Sequence, residues 1–245
     1  MTYCVAVRVD EGLVMLSDTR TNAGMDNIAR FRKMFTYEVP GDRAIAMMCS
    51  GNLSITQEVK TVLSRQIKDA GDDPEVETLL NCATMHRAAQ IVGDAMQAMQ
   101  SRYRDTIEMQ GAGADASIML AGQRKGGKPR LYLIYSAGNF IEATADTPFF
   151  QIGEHKYGKP ILDRMIKPKT TIDDAIKAVC VSMDSTLRSN LSVGMPLDMS
   201  VIERDAFRFR VRTRIEPEDE QFALISQAWS VALRRGFEDL PNVLA

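Results

Sequence analysis

The sequence predicts an α+β fold built as a four-layer αββα sandwich, two stacked antiparallel sheets with helices on both outer faces. Three observations carry this expectation. Short alternating or fully apolar runs fall into three groups, and two pairs of helical patterns separate them. Runs within a group are joined by tight turns such as Asp10-Glu11-Gly12 and Gly126-Gly127, so they pair as hairpins. Each helix pair carries an apolar face that has to be covered, and two pairs cover two sheet faces.

The elements follow in order. Residues 3–9 alternate and read as a strand, and residues 13–16 form a second apolar run after the first turn. Residues 31–39 alternate weakly. Residues 44–49 are continuously apolar, the pattern of a strand buried on both faces. Ser50-Gly51-Asn52 closes that strand and opens a helix whose Ile55, Val59, Val62, Leu63 and Ile67 share a face, with Ser54 and Gln57 as a capping box. Gly71-Asp72-Asp73-Pro74 breaks the chain, and apolar positions from Val76 to Tyr103 predict one long amphipathic helix. Strands are expected at 116–123, 130–136 and 140–143, the last after the turn Gly138-Asn139. Helices follow at about 156–166 and 172–188, the second opened by Thr171 with Asp174. Strands at about 197–203 and 207–214 precede a helix from Pro217, which has acids at its start and Arg234-Arg235-Gly236 at its finish, as the helix dipole favours. No linker or repeat interrupts the chain, so residues 1–245 are expected to form one domain, with 217–245 as a C-terminal helical extension.

Composition narrows the function. Hydrophobic residues at 45% and charged residues at 25% lie in the globular range, and a net charge of -2 argues against nucleic acid or an anionic membrane as partner. The apolar runs are too short to span a bilayer, and a strand pattern beginning at the second residue leaves no signal peptide, so the expected location is cytoplasmic. The four cysteines are scattered without a CxxC pair and read as reduced, mostly buried thiols. Only His86 and His155 are present, and HExxH is absent, so no multi-histidine metal site is expected. His86 falls inside a helical pattern, and His155 has no GxSxG elbow to serve. Gly111-Ala112-Gly113-Ala114-Asp115-Ala116 fits GxGxxA, but it follows a helix and precedes a strand, the reverse of a dinucleotide-binding turn, so it reads as a loop.

The residues that suggest chemistry begin at Thr2. If Met1 is removed, Thr2 becomes the terminus and carries a hydroxyl and a free amine on adjacent carbons, a nucleophile with its own general base. The hairpin partner of the first strand ends at Ser17-Asp18-Thr19-Arg20, which returns Asp18 and Arg20 to the level of Thr2, on one face of a strand. Lys33 places a cation on a third strand, where it would tune the Thr2 hydroxyl and amine while Asp18 orients it. Ser50-Gly51-Asn52 lies at a helix N-terminus, either as a plain strand-to-helix turn that uses Gly for its geometry or as the place where the Gly51 N–H stabilises an oxyanion. Arg208, Arg210, Arg212 and Arg214 alternate along a strand, which puts four cations on one face, either a solvated edge or a subunit contact.

Terminal Thr2, the "SDTRTNAG" stretch, Lys33 and "CSGN" together resemble the proteasome-type threonine proteases of the N-terminal-nucleophile hydrolase family. The opening "MTYCVAVR", the segment "RTNAGMDNIARFRKMF" and the later "STLRSNLSVGMP" look most like a bacterial ancestral branch of its β-subunits, and the likeness runs to about residue 205. The resemblance implies Thr2 as nucleophile, Asp18 paired with Lys33, Arg20 bracing the site and Gly51 donating to the oxyanion, with Ser50 beside it. The family's Ser after the glycine at 153 is Glu154 here. Its late Asp and Ser fall at Asn190 and Ser192, so the acid is missing. Lys33 stands about one residue nearer Thr2 than the pattern has it, which implies a local deletion. The resemblance further implies a homo-oligomer, ring or open spiral, acting on peptide or unfolded protein with no metal, nucleotide or organic cofactor.

Overall fold

The computed structural model describes residues 1–22, 28–71 and 73–242; residues 23–27 of the family-like stretch, Asp72 of the expected break and the last three residues of the terminal extension lie outside the described residues. The chain opens with the hairpin β1 (Tyr3–Val9) and β2 (Gly12–Asp18). A small hairpin follows, β3 (Arg20–Asn22) and β4 (Ile28–Arg30), which the sequence pattern did not announce. Then come β5 (Met34–Val39), β6 (Arg43–Gly51), α1 (Leu53–Ala70) and α2 (Met85–Met109). The second half holds β7 (Ala116–Arg124), β8 (Arg130–Ile134), β9 (Phe140–Glu142), β10 (Phe149–Gly153), α3 (Lys159–Met165), α4 (Ile172–Ser189), β11 (Leu197–Glu203), β12 (Phe209–Ile215) and α5 (Glu220–Glu238).

Two five-stranded sheets result, ordered β10-β1-β2-β11-β12 and β5-β6-β7-β8-β9, with every neighbouring pair antiparallel. Period-two alternation sorts each strand's side chains into layers. Tyr3, Val5 and Val7 of β1 face α3 and α4 along with Val179 and Met183, whereas Cys4 and Ala6 face the other sheet. On β6, Ile45 and Met47 face α1 and α2, and Ala44, Ala46 and Met48 face inward. The layer between the sheets interleaves alanines such as Ala6, Ala44, Ala46 and Ala121 with the longer Leu13, Met15, Met48 and Met119. This is the αββα sandwich the sequence pattern predicts.

Several boundaries differ from the sequence reading for local reasons. Asn52, not Ser54, caps α1, its side chain accepting from Ser54 N and Ile55 N. The long helix starts at Met85 rather than Val76. Asn81 Oδ1 accepts from Thr78 N at 2.6 Å and Thr78 Oγ1 accepts from Leu80 N at 3.1 Å, so side chains hold the backbone in turns until Thr84 caps the helix. Val76, Leu79, Leu80 and Ala83 recur at helical spacing there, but of the four only Leu79 is buried. Thr171 caps α4 as expected. The arginines near β12 do not share one face. A bulge at Val201/Ile202 shifts the register, so Arg210 turns to Asp173 and Glu203 while Arg214 pairs with Asp198. No helix among the described residues is long and apolar enough to cross a membrane.

Candidate active site

The start of β1, the end of β2 and the start of β5 meet at one end of the sandwich. Asp18, the last residue of β2, is fully buried, and Lys33, which directly precedes β5, is 5% exposed. Lys33 Nζ donates to Asp18 Oδ1 at 2.7 Å, to the Arg20 carbonyl oxygen, and to the Met1 carbonyl oxygen at 3.3 Å. The ammonium therefore sits against the peptide unit that joins Met1 to Thr2. Tyr3 N donates to Asp18 Oδ1 at 3.0 Å, and Gly194 N points at Oδ2 from 3.4 Å.

Burial pushes the Asp18 carboxyl above the ordinary carboxylate range, with Lys33 and the two backbone N–H groups pulling the other way. The Met1 amine is depressed by burial first and by the Lys33 charge second, while Asp18 opposes. A protonated amine is thus disfavoured at this end of the sandwich. The Thr2 nitrogen itself is an amide while Met1 is attached.

Asp18 and Arg20 do not lie on one strand, contrary to the sequence reading. The backbone breaks at Thr19, whose N–H approaches the Gly194 carbonyl at 3.4 Å and whose hydroxyl donates to the Pro196 carbonyl at 2.7 Å. Asp18 turns its carboxylate to Lys33, and Arg20 offers its carbonyl to the same ammonium. The Arg20 guanidinium reaches the Leu191 carbonyl at 2.9 Å and so ties down the loop before β11.

Glu154 binds on the opposite side of Thr2, its N–H donating to the Thr2 carbonyl at 2.6 Å. Gly153 makes this approach possible: its φ is +82°, and a Cβ there would run into the Thr2 carbonyl oxygen. The Glu154 carboxylate is buried and accepts from Asn190 Nδ2 at 3.1 Å and from Lys156 N at 2.9 Å. Asn190 Oδ1 in turn accepts from Ser192 N at 2.9 Å. Glu154, Asn190 and Ser192 therefore form one chain of contacts leading to Thr2, and the acid absent at 190 stands one hydrogen bond away.

Gly51 and Ser50 end β6 on the other sheet. Cys49 N donates to the Lys33 carbonyl at 3.0 Å, and Cys4 Sγ lies 3.8 Å from the Cys49 carbonyl, which brings the end of β6 beside β1. Ser50 is buried opposite Ser117, and Gly51 is exposed with φ +93°. His155 is exposed, and His86 packs edge-on against Tyr132 and Phe140. The backbone groups that hold Asp18 and Lys33, the Tyr3 and Gly194 N–H groups and the Met1 and Arg20 carbonyls, carry no side-chain signal in the sequence.

The αββα sandwich is the fold of a proteasome subunit, and the proteasome-subunit family model matches residues 2–202. The chain belongs to that family. Within it the chain is similar to Anbu proteins: a mutant Anbu from Hyphomicrobium sp. strain MC1 shares 46% identity over 100% of both chains with a TM-score of 0.91. The ancestral β-subunit Anbu from Yersinia bercovieri shares 42% over 99% of both, with a TM-score of 0.91. The helical assembly of the Anbu complex from Pseudomonas aeruginosa shares 43% over 98% of this chain and 97% of that one, with a TM-score of 0.90. No curated protein sequence matches the chain.

Proposed function

We propose that the protein is a threonine peptidase that acts through an acyl-enzyme on Thr2 once Met1 is lost, within a cytoplasmic homo-oligomer. The observation that carries this reading is the Lys33 ammonium, held by Asp18 at 2.7 Å and directed at the peptide unit preceding Thr2. Thr2 Oγ attacks the substrate carbonyl carbon while its proton passes to the Thr2 α-amine. The oxyanion faces the Gly51 N–H, and collapse forms an ester as the leaving amine takes the proton back. Water, activated by the same amine, then releases the acid. Lys33 lowers the cost of the developing alkoxide, Asp18 orients Lys33, and Arg20 braces the loop at Leu191. The substrate is peptide or unfolded protein, and no cofactor enters the scheme. The helical assembly of the Pseudomonas aeruginosa relative supports self-association, as a ring or an open spiral.

A second reading is an assembly subunit of the same fold with little hydrolysis. Asn190 in place of the family's acid motivates it, since an amide polarises the α-amine less than a carboxylate does. A small-amide hydrolase on the same site is a variant of the first reading. Intact-mass measurement before and after reaction with a peptide epoxyketone or β-lactone separates them. Adduct on Thr2 in a chain lacking Met1, abolished by Thr2→Ala, supports the peptidase. Full retention of Met1 in native material defeats it.

A further inference from the structure

One of the two edges of the first sheet is β12, and the sequence through it and just beyond divides by charge. Arg208, Arg210, Arg212 and Arg214 come first, then Glu216, Glu218, Asp219 and Glu220. One of the two edges of the second sheet is β5. Between the two edges lies a cleft of about 330 Å³ whose charged lining is Arg32, Lys60, Arg212 and Arg214 against the single carboxylate of Asp198. Thr2 is not part of that lining.

Asp198 is already committed. Arg214 binds it through two nitrogens at 2.9 and 3.1 Å, and Arg32 lies 3.8 Å away. Among the described residues, Lys60 and Arg212 have no carboxylate partner, and Glu216, Glu218 and Glu220 have no cationic one. Arg212 and Glu216 are exposed neighbours along the same edge. Four residues of extended chain put them about 13 Å apart, so they do not satisfy each other within one molecule.

A two-fold axis through the edge near Arg214 reverses the order of charges. It sets Arg212 of each copy against Glu216 of the other and turns the cleft toward the other's Glu218. A basic patch and an acidic patch side by side on one edge are what a self-complementary two-fold contact requires, and each pair then forms twice. Pro217 lies just past β12 and cannot donate to a ladder, so any pairing of the two edges stops short of it and the charges beyond are left to meet through side chains. The same arginines oppose each other in unrelated pairings, which restricts the edge to this register.

We propose that the cleft between β5 and β12 is an interface with a second copy of this chain, whose acidic residues 216–220 enter it while it gives its own in return. This rests on the homo-oligomer part of the function proposed above, and not on its chemistry.

The test is sedimentation velocity of the whole chain at several concentrations in about 0.1 M salt, where charges in contact are still felt. Arg212→Glu and Glu216→Arg, each verified as folded by circular dichroism, should separately weaken self-association at least about tenfold. The double variant should restore it. Single variants that associate like the parent, or a folded double variant as weak as either single, would overturn the proposal while leaving the homo-oligomer intact. A parent that is monomeric throughout overturns both. Saturable binding of inorganic pyrophosphate by the assembled parent, at the cleft and without dissociation, would assign the cleft to a free anion and also overturn it.

Discussion

Lys33 and Asp18 form an ion pair buried at both ends, Nζ to Oδ1 at 2.7 Å, with side-chain exposures of 5% and 0%. Each charge is tolerable only because of the other, so removing one leaves an uncompensated charge in the interior. Lys33→Ala should therefore cost about 3–5 kcal/mol of stability as well as most of the proposed peptidase activity. The double variant Lys33→Met/Asp18→Asn should recover much of the stability and none of the activity. Denaturant unfolding and peptide turnover on the same samples check this. A double variant with normal turnover would remove the pair from the chemistry.

Below the step in activity that protonation of the Thr2 α-amine base would set, the same pair gives a second one. Burial raises the Asp18 carboxyl, so as pH falls Asp18 takes up its proton earlier than an ordinary carboxylate, and Lys33 loses its counter-charge at that point. The residual turnover should consequently show a second fall at a pH above the usual carboxylate value of about 3.9. A pH–rate profile fitted with two ionisations on its acid side measures it. A second step at or below the ordinary value would contradict the assignment.

Gly153 underlies the contact between Glu154 and Thr2. Gly153→Ala forces a Cβ onto the Thr2 carbonyl oxygen at a φ of +82°, so the backbone of Thr2 has to move. We expect a loss of about 1–3 kcal/mol in stability from the strain. We also expect at least about a hundredfold loss in the rate of electrophile labelling, since misplacing a reacting atom by about 1 Å costs that much. Labelling kinetics followed by mass spectrometry separate the two effects, because labelling can be read under conditions where the variant is fully folded.

Alkaline stability should report on Tyr3. Its hydroxyl is buried, meets Ser182 Oγ and accepts from Gln151 Nε2 at 2.7 Å, and burial pushes its pKa up to about 12. The folded form holds its proton more tightly than the unfolded chain. Stability from this group is fully present below about pH 10, the ordinary tyrosine value, and is lost as pH rises toward about 12. Tyr3→Phe should lose about 1 kcal/mol at neutral pH from the missing hydrogen bonds, and should unfold less steeply between those two values. Chemical denaturation at stepped pH gives both numbers.

Much of the fold was legible in the sequence because alternation and helical periodicity are local. Residues 44–49 read as a doubly buried strand, and β6 is that strand with Ala44 to Met48 fully buried. The pattern puts the start of α2 too early because Val76, Leu79, Leu80 and Ala83 recur at helical spacing, although the Thr78 and Asn81 hydrogen bonds hold turns there and only Leu79 of the four is buried. Thr2, Asp18 and Lys33 were each visible as residues able to do chemistry. Their meeting rests on β1–β2 pairing, which a hairpin turn predicts, and on the two sheets stacking, which no local pattern encodes.

The sequence by itself determined the layered architecture, the presence of Thr2, Asp18 and Lys33 as residues able to do chemistry, and the absence of an acid at Asn190. Tertiary structure alone decided that Arg20 and Asp18 part at Thr19 yet both serve Lys33, that Glu154 reaches Asn190, and that a bulge sends Arg210 and Arg214 to different partners. The physical reason is the same in each case. Periodicity records which way a side chain points relative to its own strand, whereas these contacts depend on backbone carbonyls, amides and register between segments more than a dozen residues apart, where the chain direction is set by packing.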